Sequence, residues 1–298
     1  MADVRLTLGP VLFNWSAERL LGFYRTVAAS GLFDRVHVGE VVCGKRMPFS
    51  DTVWPDVVEG LEEAEIEVVM STLALPGPPR ERRSVAEACA EQRLVEINDV
   101  TALPARAGRP FVAGPFVNVY NEDTARFLAR RGARTICLPV ELPLTSAAAI
   151  SSACPDVEIE IFAFGRLPLA LSSRCYHARL HGLHKDGCQF VCDKDPDGIA
   201  VDTLDGRAFL AANGIQTLSH GVHAWLPTAR DASAVGVSRL RISPHTADVT
   251  AVGRLYRARL DDAIPRAEAL RELAALDLPG DLVDGYVLGG WGCAAAVA

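Results

Sequence analysis

Short apolar, β-branched runs alternate along most of the chain with segments of helical period. The runs at 4–12, 36–42, 66–73, 93–98, 110–118, 134–139, 157–163 and 237–243 predict eight strands. Between them, 17–30, 54–64, 84–93, 122–131, 146–154 and a long stretch at 247–276 predict helices. Asn121 is placed to cap the fourth of these, with Glu122 and Asp123 in the first turn and Gly132 positioned to stop it. Strand and helix in repeated alternation predict a parallel sheet covered by helices. Eight strands is the number of a TIM-type (β/α)8 barrel, so the α/β fold expected is that barrel.

One stretch breaks the rhythm. Residues 164–236 are far too many for a single strand-to-helix connection, and within them DTLDGRAF predicts a small β excursion. An insertion of this size after strand 7 is where function is expected. At 298 residues and 49% hydrophobic, the length fits one barrel or two smaller domains. No low-complexity tract or Gly/Ser linker divides the chain, which predicts a single domain over 1–298 carrying an elaborated insertion. The small-residue tail GYVLGGWGCAAAVA predicts a frayed end.

A net charge of −7 gives no basic footprint for nucleic acid or an anionic membrane surface. MADVRLTLGPVLFNW has neither a basic leader nor an apolar signal core, and no apolar run approaches the roughly 18 residues of a membrane span. The expectation is a soluble, cytoplasmic protein. In a reducing compartment its eight cysteines are expected free or metal-bound rather than paired.

Those cysteines fall into two populations. Cys89 lies in an Ala-rich helical stretch, Cys137 within the strand ICLPV, Cys154 at a helix end and Cys293 in the tail, all places where a thiol acts as a small hydrophobe. Cys43 instead follows a strand in GEVVCGKR, beside Lys45 and Arg46, whose charge favours a thiolate. Cys175, Cys188 and Cys192 fall in the polar, His-rich stretch SRCYHARLHGLHKDGCQFVC. If the insertion folds over the barrel mouth, these four thiols form a ligand set for an iron–sulfur cluster or zinc. A structural zinc site favours two tight Cys pairs, and here one ligand stands more than a hundred residues upstream, which suits a cluster better. His177, His181 and His184 form an H-x3-H-x2-H run that also offers zinc ligands or lines a cluster.

Barrel active sites are built at the C-terminal ends of the strands. The predicted ends carry Asn14, Glu40, Ser71, Thr72, Asn98, Asp99, Asn118, Asn121, Glu141 and His245, with Glu40 and Asn118 as candidate catalytic residues beside the mouth. Strands ending where polarity begins would give much of the same list. Ser172 and Ser173 near His177 lack a nucleophile elbow, and there is no P-loop, dinucleotide fingerprint or H-E-x-x-H.

GPVLFNW at 9–15, GEVVCGKR at 39–46, NVYN at 118–121, the cysteine stretch at 173–192 and LRISPHTADV at 240–249 resemble the ubiquinone-biosynthesis branch of the collagenase-like peptidase family of unassigned mechanism. The resemblance implies a [4Fe–4S] cluster held by Cys43, Cys175, Cys188 and Cys192, and a heterodimer with a homologous chain, UbiU. It further implies a lipid-binding accessory protein, and oxygen-independent hydroxylation of a prenylated phenol with prephenate as oxygen donor. A dianionic donor would suit Lys45, Arg46 or Arg174. The same resemblance admits a partner subunit whose cluster is structural or relays electrons. Other relatives hydroxylate RNA bases, a branch that the acidic balance opposes.

Overall fold

The computed structural model describes residues 4–296. Eight parallel strands close on themselves: β1 (Arg5–Leu8), β2 (Arg35–Val38), β3 (Glu67–Ser71), β4 (Val95–Ile97), β5 (Phe111–Ala113), β6 (Ala133–Cys137), the first half of β7 (Glu158–Leu171), and β11 (Arg239–Ile242), which pairs with both β7 and β1. Helices α1 (Ala17–Ser30), the short α2 (Met47–Ser50), α3 (Trp54–Glu63), α4 (Pro79–Ala90), α5 (Glu122–Arg130) and α6 (Leu144–Ala153) fill the connections. After β4 a 3-10 helix at Val100–Arg106, containing Pro104, takes that place. The expected (β/α)8 barrel is therefore the architecture, and all eight predicted strands are present.

Boundaries differ where backbone chemistry overrides hydrophobicity. β1 ends at Leu8 because Gly9 and Pro10 follow, and Pro10 has no N–H for the ladder. β5 stops at Ala113, five residues short of its predicted end, since Pro115–Val117 wind into a 3-10 turn closed by Asn118 at φ 61°. α4 begins at Pro79 rather than 84, proline being tolerated in a first turn. The long helix expected over 247–276 is two, α9 (Val249–Leu260) and α10 (Arg266–Ala274), broken by Asp262 at φ 53° and by Pro265, which caps the second. The tail is not merely frayed: β12 (Leu282–Val283) pairs with β10 (Gln216–Ala224), and Val283 bridges Ala295.

The insertion is ordered and β-rich. β7 runs on past the barrel for fourteen residues in all. Its second half pairs with β10 (Gln216–Ala224), which pairs with β9 (Ala208–Asn213), which pairs with β8 (Ile199–Asp202), all antiparallel. Gly165 sits where barrel gives way to flap, at φ 118°, and a Cβ there would stand 2.7 Å from that of Ser243. Between β7 and β8 lies the cysteine segment with α7 (Tyr176–Leu180), and α8 (Ala229–Ala234) leads back to β11.

Alternation in the strands splits the core in two. Leu6, Leu8, Val36, Val38, Ile97, Ile136, Ile159, Leu240 and Ile242 belong to the main apolar core, the layer shared with the helices. The other strand face is charged and buried. Arg35 on β2 reaches Thr135 on β6 at 3.0 Å and Glu158 on β7 at 3.4 Å, so these side chains meet inside the barrel. Above them Arg241 pairs with Glu96 at 2.5 Å and also with Glu160, while Glu96 accepts from Ser71 at 2.7 Å. Burial alone would raise the Glu96 carboxyl, but Arg241 and His37 hold it well below the ordinary value.

Candidate thiolate site at the barrel mouth

Two loops supply the thiols. Beyond β2, Gly39 to Arg46 forms a tight turn held by Glu40, whose Oε1 accepts the backbone N–H groups of Val42 at 2.8 Å and Cys43 at 2.9 Å. The flap supplies the rest. Cys175 caps α7, its Sγ accepting the N–H of Ala178 at 3.4 Å and lying 3.2 Å from the Gly214 carbonyl. Between Cys188 and Cys192 the backbone takes two consecutive left-handed residues, Gln189 at φ 49° and Phe190 at φ 55°. Such strain in non-glycine residues is held by the contacts around it and is typical of functional loops.

Cys43, Cys175, Cys188 and Cys192 line one cavity, together with Lys45, Arg46 and Phe190. Cys175 and Cys192 are buried, and Cys43 and Cys188 are partly so. The other four cysteines lie apart: Cys89, Cys137 and Cys154 are buried in α4, in β6 and at the end of α6, and Cys293 is exposed. The two loops are stitched together by Arg46 and Lys45. Arg46 donates to Asn213 Oδ1 at 2.6 Å and to the Leu12 carbonyl at 3.3 Å, and its guanidinium lies 3.8 Å from Glu40. Gly214 makes room for it, since a Cβ there would fall 2.3 Å from Arg46 Nη2. Lys45 Nζ donates to the carbonyls of Lys185 at 2.6 Å and Asp186 at 3.0 Å, just ahead of Cys188. Asn14 adds a side-chain N–H 3.4 Å from the Cys192 sulfur.

Burial favours the neutral thiol at Cys43 and Cys175, and the polar groups beside them partly offset it: Arg46 at Cys43, and the N–H of Ala178 at Cys175. Arg46 is buried, and although burial alone would lower it, Glu40, Cys192 and Cys43 keep it charged. Its Nε has no hydrogen-bond partner. A buried cation with a spare donor, two N–H groups aimed at sulfur and four convergent thiols form a donor set that fits a thiolate-bound cofactor. Among the described residues, three ligand atoms come within 4.8 Å of one another at His177, His181 and Asp195, while a set of four thiolates can serve zinc or an iron–sulfur cluster.

The remaining strand-end residues sort by their partners. Ser71, Thr72 and Asn98 are bonded to Glu96, through its carboxylate or its carbonyl, and Asn121 caps α5. Asp99 caps the 3-10 helix, and His245, buried, accepts from the Arg166 backbone N–H and faces Asp197. Glu40 is a positioning residue for the Cys43 turn. Asn118 and Glu141 stand elsewhere, in an open groove of about 260 Å³ with Phe116, Leu169, Leu171 and Ala74. Phe116, Leu171 and Ala74 also pack in the small apolar cluster that contains Cys175, so groove and thiols share a wall. Arg46 is committed to the loops and Arg174 is exposed, which leaves neither as an anion ligand inside the groove. His184 stands outside the His177–His181–Asp195 group.

A sequence model of peptidase family U32 matches residues 25–280. Among solved structures, thiamine phosphate pyrophosphorylase from Pyrococcus furiosus aligns with a TM-score of 0.48 at 12% identity, over 88% of this chain and 98% of that one. Dihydropteroate synthase from Thermus thermophilus aligns at 0.43 and 16%, over 88% and 95%.

Proposed function

The protein belongs to peptidase family U32, and we propose that within it this chain is an iron–sulfur subunit of the UbiV type, working with a UbiU homologue in oxygen-independent hydroxylation of a prenylated phenol. The observation that carries this reading is the convergence of Cys43 with Cys175, Cys188 and Cys192 on one cavity, from loops after two different barrel strands. A hydrolytic reading has no such support: Ser172 Oγ accepts the Arg174 backbone N–H, and His177 turns its ring to the Ala212 carbonyl and Asp195, so among the described residues no histidine is set to activate Ser172.

A bound [4Fe–4S] cluster would supply one-electron chemistry, held by the four thiolates. The chain's own residues do the rest. Arg46 offsets thiolate charge in a buried setting, and the N–H groups of Asn14 and Ala178 point at two of the sulfurs. The groove across the shared wall is apolar along Phe116, Leu169 and Leu171, which suits an aromatic ring, and Asn118 and Glu141 offer polar partners for a phenol hydroxyl at its rim. No helix among the described residues is long and apolar enough to cross a membrane.

The test is iron and acid-labile sulfide analysis of the anaerobically co-purified pair, together with its quinone-ring hydroxylation. About four iron and four sulfide per chain are expected. Zinc in their place, or full hydroxylation by a pair lacking iron in this subunit, would overturn the reading.

A further inference from the structure

The sequence run of three histidines resolves into a different trio. His177 and His181, four residues apart around α7, bring their rings into parallel stacking at 5.4 Å with 16° between planes. Asp195, from the turn leading to β8, reaches both: its Oδ2 lies 3.0 Å from His177 Nε2 and 3.9 Å from His181 Nε2. The three ligand atoms lie within 4.8 Å of one another.

His177 is fully buried, and its Nδ1 faces the Ala212 carbonyl at 3.2 Å. A carbonyl only accepts, so Nδ1 carries a proton and Nε2 is the nitrogen turned to the carboxylate. An ion between Nε2 and Oδ2 would take both atoms as ligands in place of a proton shared between them. This is how a metal-binding histidine is held, with a backbone carbonyl fixing the tautomer from behind. Asp195 is braced as well, since its own carbonyl accepts from Asn213 at 2.7 Å. Bonds of about 2.1 Å to a common ion require donor atoms no more than about 4.2 Å apart, which the two separations from Asp195 Oδ2 meet.

We propose that His177, His181 and Asp195 form a second metal site beside the four thiols, with His177 in the wall of the thiol cavity, for one divalent first-row ion, zinc or ferrous iron. Two imidazoles and one carboxylate leave coordination positions open, the arrangement of Lewis-acid zinc and of non-haem iron sites. His181 and Asp195 are part-exposed, which gives the ion access from solvent.

The site is tested on the full chain in its complex, with cobalt(II) chloride as the probe. Cobalt on histidine and carboxylate gives weak visible bands only, whereas cobalt on thiolates adds intense sulfur-to-metal charge transfer in the near ultraviolet. One cobalt per chain without charge transfer is expected, with a loss of at least tenfold in affinity in His181→Ala and Asp195→Asn. The iron content of both variants should be unchanged. Metal analysis of the protein as isolated separates the two ions: one zinc per chain, or one iron beyond those accompanied by sulfide. Failure of cobalt to bind, charge transfer at one equivalent, unchanged affinity in His181→Ala, or iron lost together with cobalt in that variant would each overturn the proposal. The cobalt affinities stand whether or not the chain takes part in hydroxylation, and the charge-transfer and iron arms rest on the four thiols holding the cluster proposed above.

Discussion

Glu40 Oε1 accepts the backbone N–H of Cys43 at 2.9 Å, so a buried carboxylate sets the turn that presents the first thiol. Burial raises this carboxyl, with Arg46 and the two N–H groups opposing it. Glu40→Ala leaves the N–H groups of Val42 and Cys43 and the Arg46 cation without their acceptor, a cost of about 1–3 kcal/mol per buried unsatisfied group. The variant is expected to lose iron, whereas Glu40→Gln, which keeps an accepting oxygen, should retain most of it. Iron per chain after anaerobic purification checks both; full iron in Glu40→Ala would make the turn independent of its carboxylate.

The two cysteine populations make a sharper division. Cys43→Ala, Cys175→Ala, Cys188→Ala and Cys192→Ala should each abolish the visible absorption of a cluster and drop the iron content. Cys137→Ala and Cys154→Ala should keep both, since those thiols lie in β6 and at the end of α6, away from the cavity. Full iron in Cys43→Ala would remove the strand-2 loop from the site.

Inside the barrel, Arg241 serves two carboxylates, Glu96 and Glu160, in a setting closed to water. Removing one partner from such a set leaves uncompensated charge. Arg241→Met is therefore expected to lower stability by about 3–5 kcal/mol, read as a fall in the urea midpoint. A change within about 0.5 kcal/mol, the size of a neutral surface substitution, would mean the cluster adds nothing to folding.

The barrel was legible because its outward strand positions are apolar in alternation and its turns carry Gly, Pro and Asn where φ or a missing N–H demands them. The charged interior was not legible: in RVHV, EIEI and RLRI every second residue is Arg, His or Glu, and that alternation reads equally as one face towards solvent. Only closure of the sheet shows that this face is buried. Spacing and position relative to the strands singled out Cys43, Cys175, Cys188 and Cys192, and these four line one cavity. Asp195 was not recoverable, because it joins His177 through the winding of the flap and not through any periodic spacing. Nor was the role of Glu40, since a strand-end carboxylate looks alike whether it faces a ligand or pins a turn.

Glu158 gives the lower barrel layer a pH signature. Burial would raise its carboxyl, but bonds from Arg239 and Thr135 and the charge of Arg35 bring it down to about 2 from an ordinary 4.5. A depressed folded value means stability is fully present above pH 4.5 and drains away as pH falls towards 2. Glu158 is part-exposed, so solvent screening moderates the size of the effect. The midpoint of thermal unfolding should fall more steeply over that window in the native chain than in Glu158→Gln. Parallel curves would show that Glu158 ionises alike in the folded and unfolded chain.

Asn118 and Glu141 allow the groove to be separated from the thiols. Asn118 holds φ 61°, a conformation glycine adopts freely, so Asn118→Gly removes the side chain without straining the turn after β5. Glu141→Gln keeps shape and removes charge at the opposite rim, where Tyr120 donates to it. Neither residue touches the thiol cavity, so both variants should keep full iron. If the groove holds the phenol ring, loss of one hydrogen bond of about 1–1.5 kcal/mol lowers anaerobic ring hydroxylation roughly five- to tenfold, and the double variant lowers it further. Iron content and quinone formation are measured on the same anaerobic cultures. Normal quinone in the double variant would place the ring in the partner subunit, and joint loss of iron and quinone would make these residues part of the scaffold.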